Sequence, residues 1–181
     1  MNDLPTVRTA PVTRLGLLAY VVAALAVAAD QLSKAWVVSV LRLDDFGTKA
    51  VLPPYFRLTL VANRGVSFGF LRADSLIGRW VLVAAALAVV CWLIWWVRKA
   101  DRLLFAVAIG LVIGGALGNN AIDRARIGWV IDFLDFSGLG FFPWVFNVAD
   151  SAITVGVCLL LLDSFAPAPR PRTDPAPDNQ A

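Results

Sequence analysis

Apolar residues fall in four long blocks, and polar residues collect between them. The blocks run from about Leu15 to Leu41, Leu76 to Val97, Leu103 to Asn120 and Val145 to Phe165. Each is about the length needed to cross a hydrocarbon core of roughly 30 Å. The pattern predicts four membrane-spanning helices. The first block is too long for the apolar region of a signal peptide. It also lacks a small-residue cleavage site followed by a soluble domain, so it reads as a retained span. Residues 1–13 are a polar tail. Residues 166–181 are rich in Pro, Ala and Asp and are expected to be disordered. A single membrane domain, 14–165, lies between the tails.

Residues 42–75 break the pattern. Pro53-Pro54 is followed by Tyr55-Phe56-Arg57-Leu58-Thr59-Leu60-Val61, a strand by composition and in part by alternation. Gly65 and Gly69 follow, so this stretch is a folded, non-helical excursion outside the hydrocarbon. The second block ends in Trp92, Trp95, Trp96, Arg98 and Lys99, aromatic then basic, which marks an interface. Gly110, Gly114 and Gly118 recur every four residues and put small residues on one face for close helix packing. Residues 123–140 read as a short polar segment. Phe141-Phe142-Pro143-Trp144 reads as a second aromatic belt.

Composition agrees with the blocks. The 181 residues are 59% apolar and 16% charged, where soluble domains are nearer half and a quarter. All 13 acidic side chains are Asp, and there is no His. That excludes a His-based triad and a His-ligated zinc or haem site. No metal or other cofactor is expected. Cys91 and Cys158 sit inside apolar blocks and are expected to be buried small hydrophobes. The net charge of +3 reads as orientation and headgroup contact with membrane lipid, not nucleic-acid binding. The short connection with Arg98, Lys99 and Arg102 argues for a cytoplasmic loop. Both tails, with Arg8, Arg14, Arg170 and Arg172, would share that side. The opposite side holds Arg42, Lys49, Arg57, Arg64, Arg72, Arg79, Arg124 and Arg126. The count is eight against seven, so the dense short loop carries the assignment.

Ionisable groups at membrane depth are costly and are therefore functional candidates. Asp30 and Lys34 are four apart on the first helix and can pair. They form either a salt bridge at the interface or a contact to substrate. Asp123 and Arg124 are adjacent, point apart on a helix and need different partners; a polar cap on the third span is the structural reading. Asp132 is flanked by apolar residues. Asp150 lies one to two turns inside the fourth block, with Asn147 three residues earlier on the same face. Two carboxylates brought together cannot both ionise easily and share a proton. One can act as general base on water and the other as general acid, which is aspartic-peptidase chemistry. A proton or cation relay uses the same residues. So does a non-enzymatic assembly subunit with the aspartates as helix-pairing groups. Asn63 can bond a peptide or a carboxylate beside its turn role with Gly65. Ser67 has no neighbouring base that would make it a nucleophile.

Five segments in order resemble the lipoprotein signal peptidase (signal peptidase II) family. They are Asp30-Gln31-Leu32-Ser33-Lys34; Asn63-Arg64-Gly65-Val66-Ser67-Phe68-Gly69; Gly114-Gly115-Ala116-Leu117-Gly118-Asn119 leading to Asp123-Arg124; Gly128-Trp129-Val130-Ile131-Asp132-Phe133; and Phe146-Asn147-Val148-Ala149-Asp150. The resemblance implies catalytic roles for Asp132 and Asp150. It implies supporting roles for Asn63, Asp123, Arg124 and Asn147, and places Asp30 and Lys34 near the substrate and lipid surface. The substrate implied is a diacylglyceryl-modified prolipoprotein cut before its lipidated cysteine. The implied setting is the bacterial inner membrane, with the active site and a β-rich cradle on the extracytoplasmic face. The expected fold is mostly α, with four transmembrane helices, acting as a monomer. One departure stands out. The family has two residues between its Gly-Asn and Asp-Arg, whereas three separate Asn119 from Asp123 here, so either Asn119 or Asn120 can fill the Asn position. Ser67 stands where many relatives have Ala. A small proton-coupled transporter is the alternative function, although the four blocks show no internal repeat.

Overall fold

The computed structural model describes residues 11–43, 47–65 and 76–165. Its elements follow the apolar blocks. Helix α1 spans Arg14–Ser39, α2 spans Leu76–Val97, and α3 begins as Leu103–Ala116. α3 continues as a π-helix over Leu117–Arg124 and closes with one α-turn, Ala125–Ile127. Helix α4 spans Val148–Ser164. The strands are β1 (Thr48–Leu52), β2 (Phe56–Asn63), β3 (Val130–Asp135) and β4 (Val145–Phe146). They form one antiparallel sheet in the order β1-β2-β3-β4. The tails, apart from residues 11–13, lie outside the described residues, as do Ser67 and Gly69.

Among the described residues, three helices are long and apolar enough to cross a membrane: Arg14–Ser39, Leu76–Val97 and Leu103–Ile127. α4 has 17 residues, about 25 Å at 1.5 Å per residue, a little under the roughly 30 Å core. Helix α4 is shorter than its apolar run because Val145–Phe146 is strand β4 and Asn147 is the helix cap. Large apolar side chains such as Leu17, Leu25, Trp80, Val155 and Leu161 point outward, as expected where lipid is the solvent.

Helix packing follows from small residues. A Cβ at Gly110 or Gly114 would collide with Ala19, Val22, Ala23 and Ala26 of α1. A Cβ at Gly115 would collide with the Ala149 carbonyl of α4. α3 therefore lies between α1 and α4 at near-backbone distance. Ala19, Ala23, Val90, Leu93, Val97, Ile109 and Ile113 fill the core of α1, α2 and α3. Thr13 caps α1 by accepting from Gly16 N at 3.0 Å, and its hydroxyl donates to Ala100 O at 2.7 Å. That puts the start of α1 and the Arg98–Arg102 loop at one end of the bundle.

The sheet sits at the other end. Val37 of α1 packs with Leu43, Leu58 and Phe133 in a second cluster. The expected strand at Tyr55–Val61 is β2, starting one residue later because Tyr55 completes the hairpin turn. The segment 123–140, expected to be merely polar, contains strand β3 in the interior of the sheet. β2 and β3 pair Val61 with Asp132, Ala62 with Ile131 and Asn63 with Val130. Cys91 and Cys158 are free and exposed on the outer helix faces, not buried as expected. An apolar block crossing lipid satisfies its outer face with lipid, so an apolar position is not evidence of burial in protein.

Candidate active site

Asp132 and Asp150 come from different elements and meet at one residue, Asn147. Asp132 is on β3 and only 2% exposed. Its Oδ1 accepts from Asn147 Nδ2 at 2.6 Å, and its Oδ2 accepts from Asn63 Nδ2 at 2.9 Å. Asn63 is diagonal to Asp132 across the β2–β3 ladder, within reach on the same face. Gly65 N donates to Asn63 Oδ1 at 3.0 Å, which turns the amide nitrogen toward Asp132. Gly65 holds φ 104°, a conformation that favours glycine. The motif thus aims a donor.

Asp150 is in the first turn of α4, not one to two turns inside a span. Asn147 is the N-cap, with extended backbone, and the two form a reciprocal capping box. Asp150 N donates to Asn147 Oδ1 at 2.9 Å, and Asn147 N donates to Asp150 Oδ2 at 3.2 Å. Shared helical facing is therefore not what joins them. Asp150 Oδ1 also accepts from Asn119 Nδ2 at 2.8 Å. Asp150 is half-buried, so this end of the pair is not sealed off.

Burial pushes the Asp132 carboxyl up to about 6; the bonds from Asn63 and Asn147 and the charge of Lys34 oppose this, and Asp150 adds to it. Two carboxylates in one low-dielectric site titrate as a coupled pair. The arrangement can hold one proton between two acids near neutral pH.

The π-helix resolves which Asn enters the site. Asn119 Oδ1 accepts from Lys34 Nζ at 2.8 Å and from Asn147 Nδ2 at 3.1 Å. Asn120 faces elsewhere, donating to Ala116 O at 3.4 Å and accepting from Arg124 Nε at 3.3 Å. A π-turn takes about one more residue than an α-turn. The extra residue between Asn119 and Asp123 is absorbed there, and both side chains still reach Lys34.

Asp30 and Lys34 are 0% and 2% exposed. Of the two readings, the salt bridge is the one formed, at 2.8 Å. Both side chains are buried, and Lys34 lines a cavity with Gln31, Asp123, Arg126 and Ile131. Lys34 also pairs with Asp123 at 2.7 Å. Asp123 accepts from Ile131 N at 3.2 Å and from Gln31 Nε2 at 2.9 Å. It accepts from Lys34, Gln31 and Ile131 rather than capping the third span, and Arg124 has a different partner, Asn120, as adjacency required. Gln31 received no role from sequence, although it stands beside Asp30. Asp135 also received no role from sequence. It accepts from Thr59 Oγ1 at 2.8 Å and pairs with Arg57 at 3.1 Å. Burial would raise the Asp135 carboxyl, but bonds from Ser137 and Thr59 and the Arg57 charge bring it down to about 2. Its signal was the Arg57–Asp135 register, visible only once the strands pair.

Fold and site define a class: a helical membrane protein with a carboxylate pair, one buried and one half-buried, where a small sheet meets the helix ends. Two solved structures share the fold, both described as a bacterial membrane enzyme determined by the in meso method. The 1.9 Å structure aligns with TM-score 0.72 at 28% identity, covering 87% of this chain and 98% of its own. The 2.3 Å structure gives 0.70 at 28%, covering 87% and 92%. A family profile described as Signal peptidase (SPase) II matches residues 22–166. The lipoprotein signal peptidase of Caulobacter vibrioides is 54% identical over 154 residues, covering 85% of this chain and 90% of that protein. That of Methylorubrum extorquens is 48% identical over 156 residues, covering 82% and 86%. The chain belongs to the signal peptidase II family, the lipoprotein signal peptidases. It is an integral membrane protein of a protease family that removes signal peptides from lipoproteins.

Proposed function

We propose that this chain is an aspartic endopeptidase that cuts diacylglyceryl-modified prolipoproteins just before the lipidated cysteine. Asp132 and Asp150 are the reacting pair. The observation that carries the reading is that Asn147 bonds both carboxylates, Asp132 through its side chain and Asp150 through its backbone. One carboxylate takes a proton from the attacking water while the other donates its proton to the scissile carbonyl; as the tetrahedral diol collapses, the first passes its proton to the leaving amine and the second takes back a hydroxyl proton. Asn63, Asn119 and Asn147 orient the pair, Asp123 and Arg124 support it, and Asp30 and Lys34 act from behind it.

The enzyme acts as a monomer in the bacterial inner membrane, with α4 as a fourth span and both tails cytoplasmic. The common end of the Thr13 cap and the basic Arg98–Arg102 loop supports this orientation. The sheet then lies on the extracytoplasmic face as a cradle for an extended peptide, and acyl chains stay in lipid. Membership of a peptidase family favours this reading over a proton-coupled transporter or an assembly subunit. The test is to incubate purified protein with a diacylglyceryl prolipoprotein and sequence the new N-terminus. A lipid-bearing cysteine is expected there. A different N-terminus, or near-normal cleavage by well-folded Asp132→Asn or Asp150→Asn, would overturn the reading.

A further inference from the structure

Lys34 and its two carboxylates lie behind the reacting pair yet are tied to both of its members. Asp30 Oδ1 accepts the N–H of Ala149 at 3.0 Å, one residue before Asp150. Asp123 Oδ2 accepts the N–H of Ile131 at 3.2 Å, one residue before Asp132. Lys34 Nζ joins the two acids, 2.8 Å from Asp30 Oδ2 and 2.7 Å from Asp123 Oδ2. Gln31 Nε2 repeats the bridge at 3.0 and 2.9 Å. A third contact of Lys34, to Asn119, continues to Asp150.

We propose that Lys34, Asp30 and Asp123 form a two-armed clamp that sets the separation and mutual orientation of Asp132 and Asp150. The three are positioning residues, and the proposal rests on the reading of that pair given above.

The backbone alone does not fix the separation. β3 and the start of α4 are different elements. Among the described residues, the strand that links them, β4, pairs with Leu134 and Asp135, beyond Asp132. Each arm uses a backbone donor that secondary structure leaves open. Ala149 N–H belongs to the first turn of α4, where amides have no helical acceptor. Ile131 N–H is taken by Asp123 rather than by a neighbouring strand on that side. The ammonium is nearly fully buried, as are both acids, so these bonds act in a low dielectric and hold geometry firmly. A shift of about 1 Å in reacting groups costs on the order of 100-fold in rate.

The test compares Lys34→Met, Lys34→Arg, Asp30→Asn and Asp123→Asn, purified in detergent and assayed on a diacylglyceryl prolipoprotein. Asp132→Asn and Asp150→Asn run alongside. Lys34→Met is expected to lower kcat about 100-fold with KM within about threefold. Asp30→Asn and Asp123→Asn each lower kcat about tenfold. The charged groups around Asp132 are Lys34 and Arg124 on one side of the balance and Asp150 on the other. Losing the Lys34 cation makes Asp132 harder to ionise, so the acid limb of the pH–rate profile moves up in Lys34→Met. Lys34→Arg keeps that limb in place and recovers part of kcat. Near-normal turnover of Lys34→Met overturns the clamp, as does a loss confined to KM, or an unmoved acid limb with no benefit from Arg. If Lys34→Met fails to fold, the two Asn variants carry the test. Misfolding of all three also overturns the clamp, because the network would then be holding the fold. Cleavage by Asp132→Asn and Asp150→Asn would instead overturn the assignment of the reacting pair.

Discussion

Replacing Asp132 by Asn should trade activity for stability, with a pH dependence set by burial. Asp132 lies on β3, outside the helices, and its carboxyl is raised from 3.8 to about 6. Below about pH 4 the folded and unfolded chains both carry the proton, and burial imposes no ionic penalty. As pH rises from about 4 to 6 the unfolded chain ionises first, and the folded state loses relative stability. Above pH 6 the loss is complete. The rise from 3.8 to about 6, at 1.36 kcal/mol for each tenfold change in acidity, is about 3 kcal/mol. The variant does not titrate and escapes this loss. It incurs another: Asn63 and Asn147 both donate to Asp132, and an amide presents an oxygen to only one of them. That mismatch costs about 1–2 kcal/mol but does not depend on pH. The informative quantity is therefore the change in the stability difference between variant and wild type. It should move about 3 kcal/mol toward the variant from pH 4 to 7.5. For a chain of this size that is about 6–12 °C in Tm, measured by thermal unfolding in detergent at several pH values. Parallel Tm–pH curves for the two proteins would refute the assignment of a raised, buried carboxyl. In the same preparations cleavage should fall by about 1,000-fold or more, since a positioned acid–base group contributes about 100- to 10,000-fold.

Other outcomes follow from the same geometry. Asn119→Ala should lower kcat by about 100-fold while Asn120→Ala costs less than about tenfold, because only Asn119 bonds Asp150; equal losses in the prolipoprotein assay would contradict the side-chain assignment in the π-helix. Gly115→Ala should destabilise by about 1–3 kcal/mol and reduce cleavage, since its methyl meets the Ala149 carbonyl beside Asp150; a wild-type Tm would count against this packing. Asp135→Asn should destabilise at pH 7 by about 1–2 kcal/mol after allowing for the exposure of Arg57. With the carboxyl held down to about 2, that contribution is present above pH 4 and lost as pH falls toward 2. A variant whose deficit persists unchanged at pH 2 would argue against the ionic origin.

Much of this protein is written in its sequence because lipid makes a simple demand. A helix satisfies its own backbone and needs only apolar side chains outside, so the block from Leu76 to Val97 can be read directly as α2. The ordered motifs likewise carried the family, and the absence of His narrowed the chemistry. What sequence could not set was direction and register. The cysteines at apolar positions face outward, because an apolar side chain is equally at home in lipid and in the core. β3 was hidden in a segment that reads as polar, because a strand's status depends on a partner more than 60 residues away. The cluster of aspartates was visible, but its division was not. Tertiary structure alone put Asp150 in a capping box, sent Asn119 inward and Asn120 outward through a π-turn, and enclosed Asp30 and Lys34. Those outcomes turn on which backbone donors the packed elements leave open, and that is decided only when helices and sheet meet.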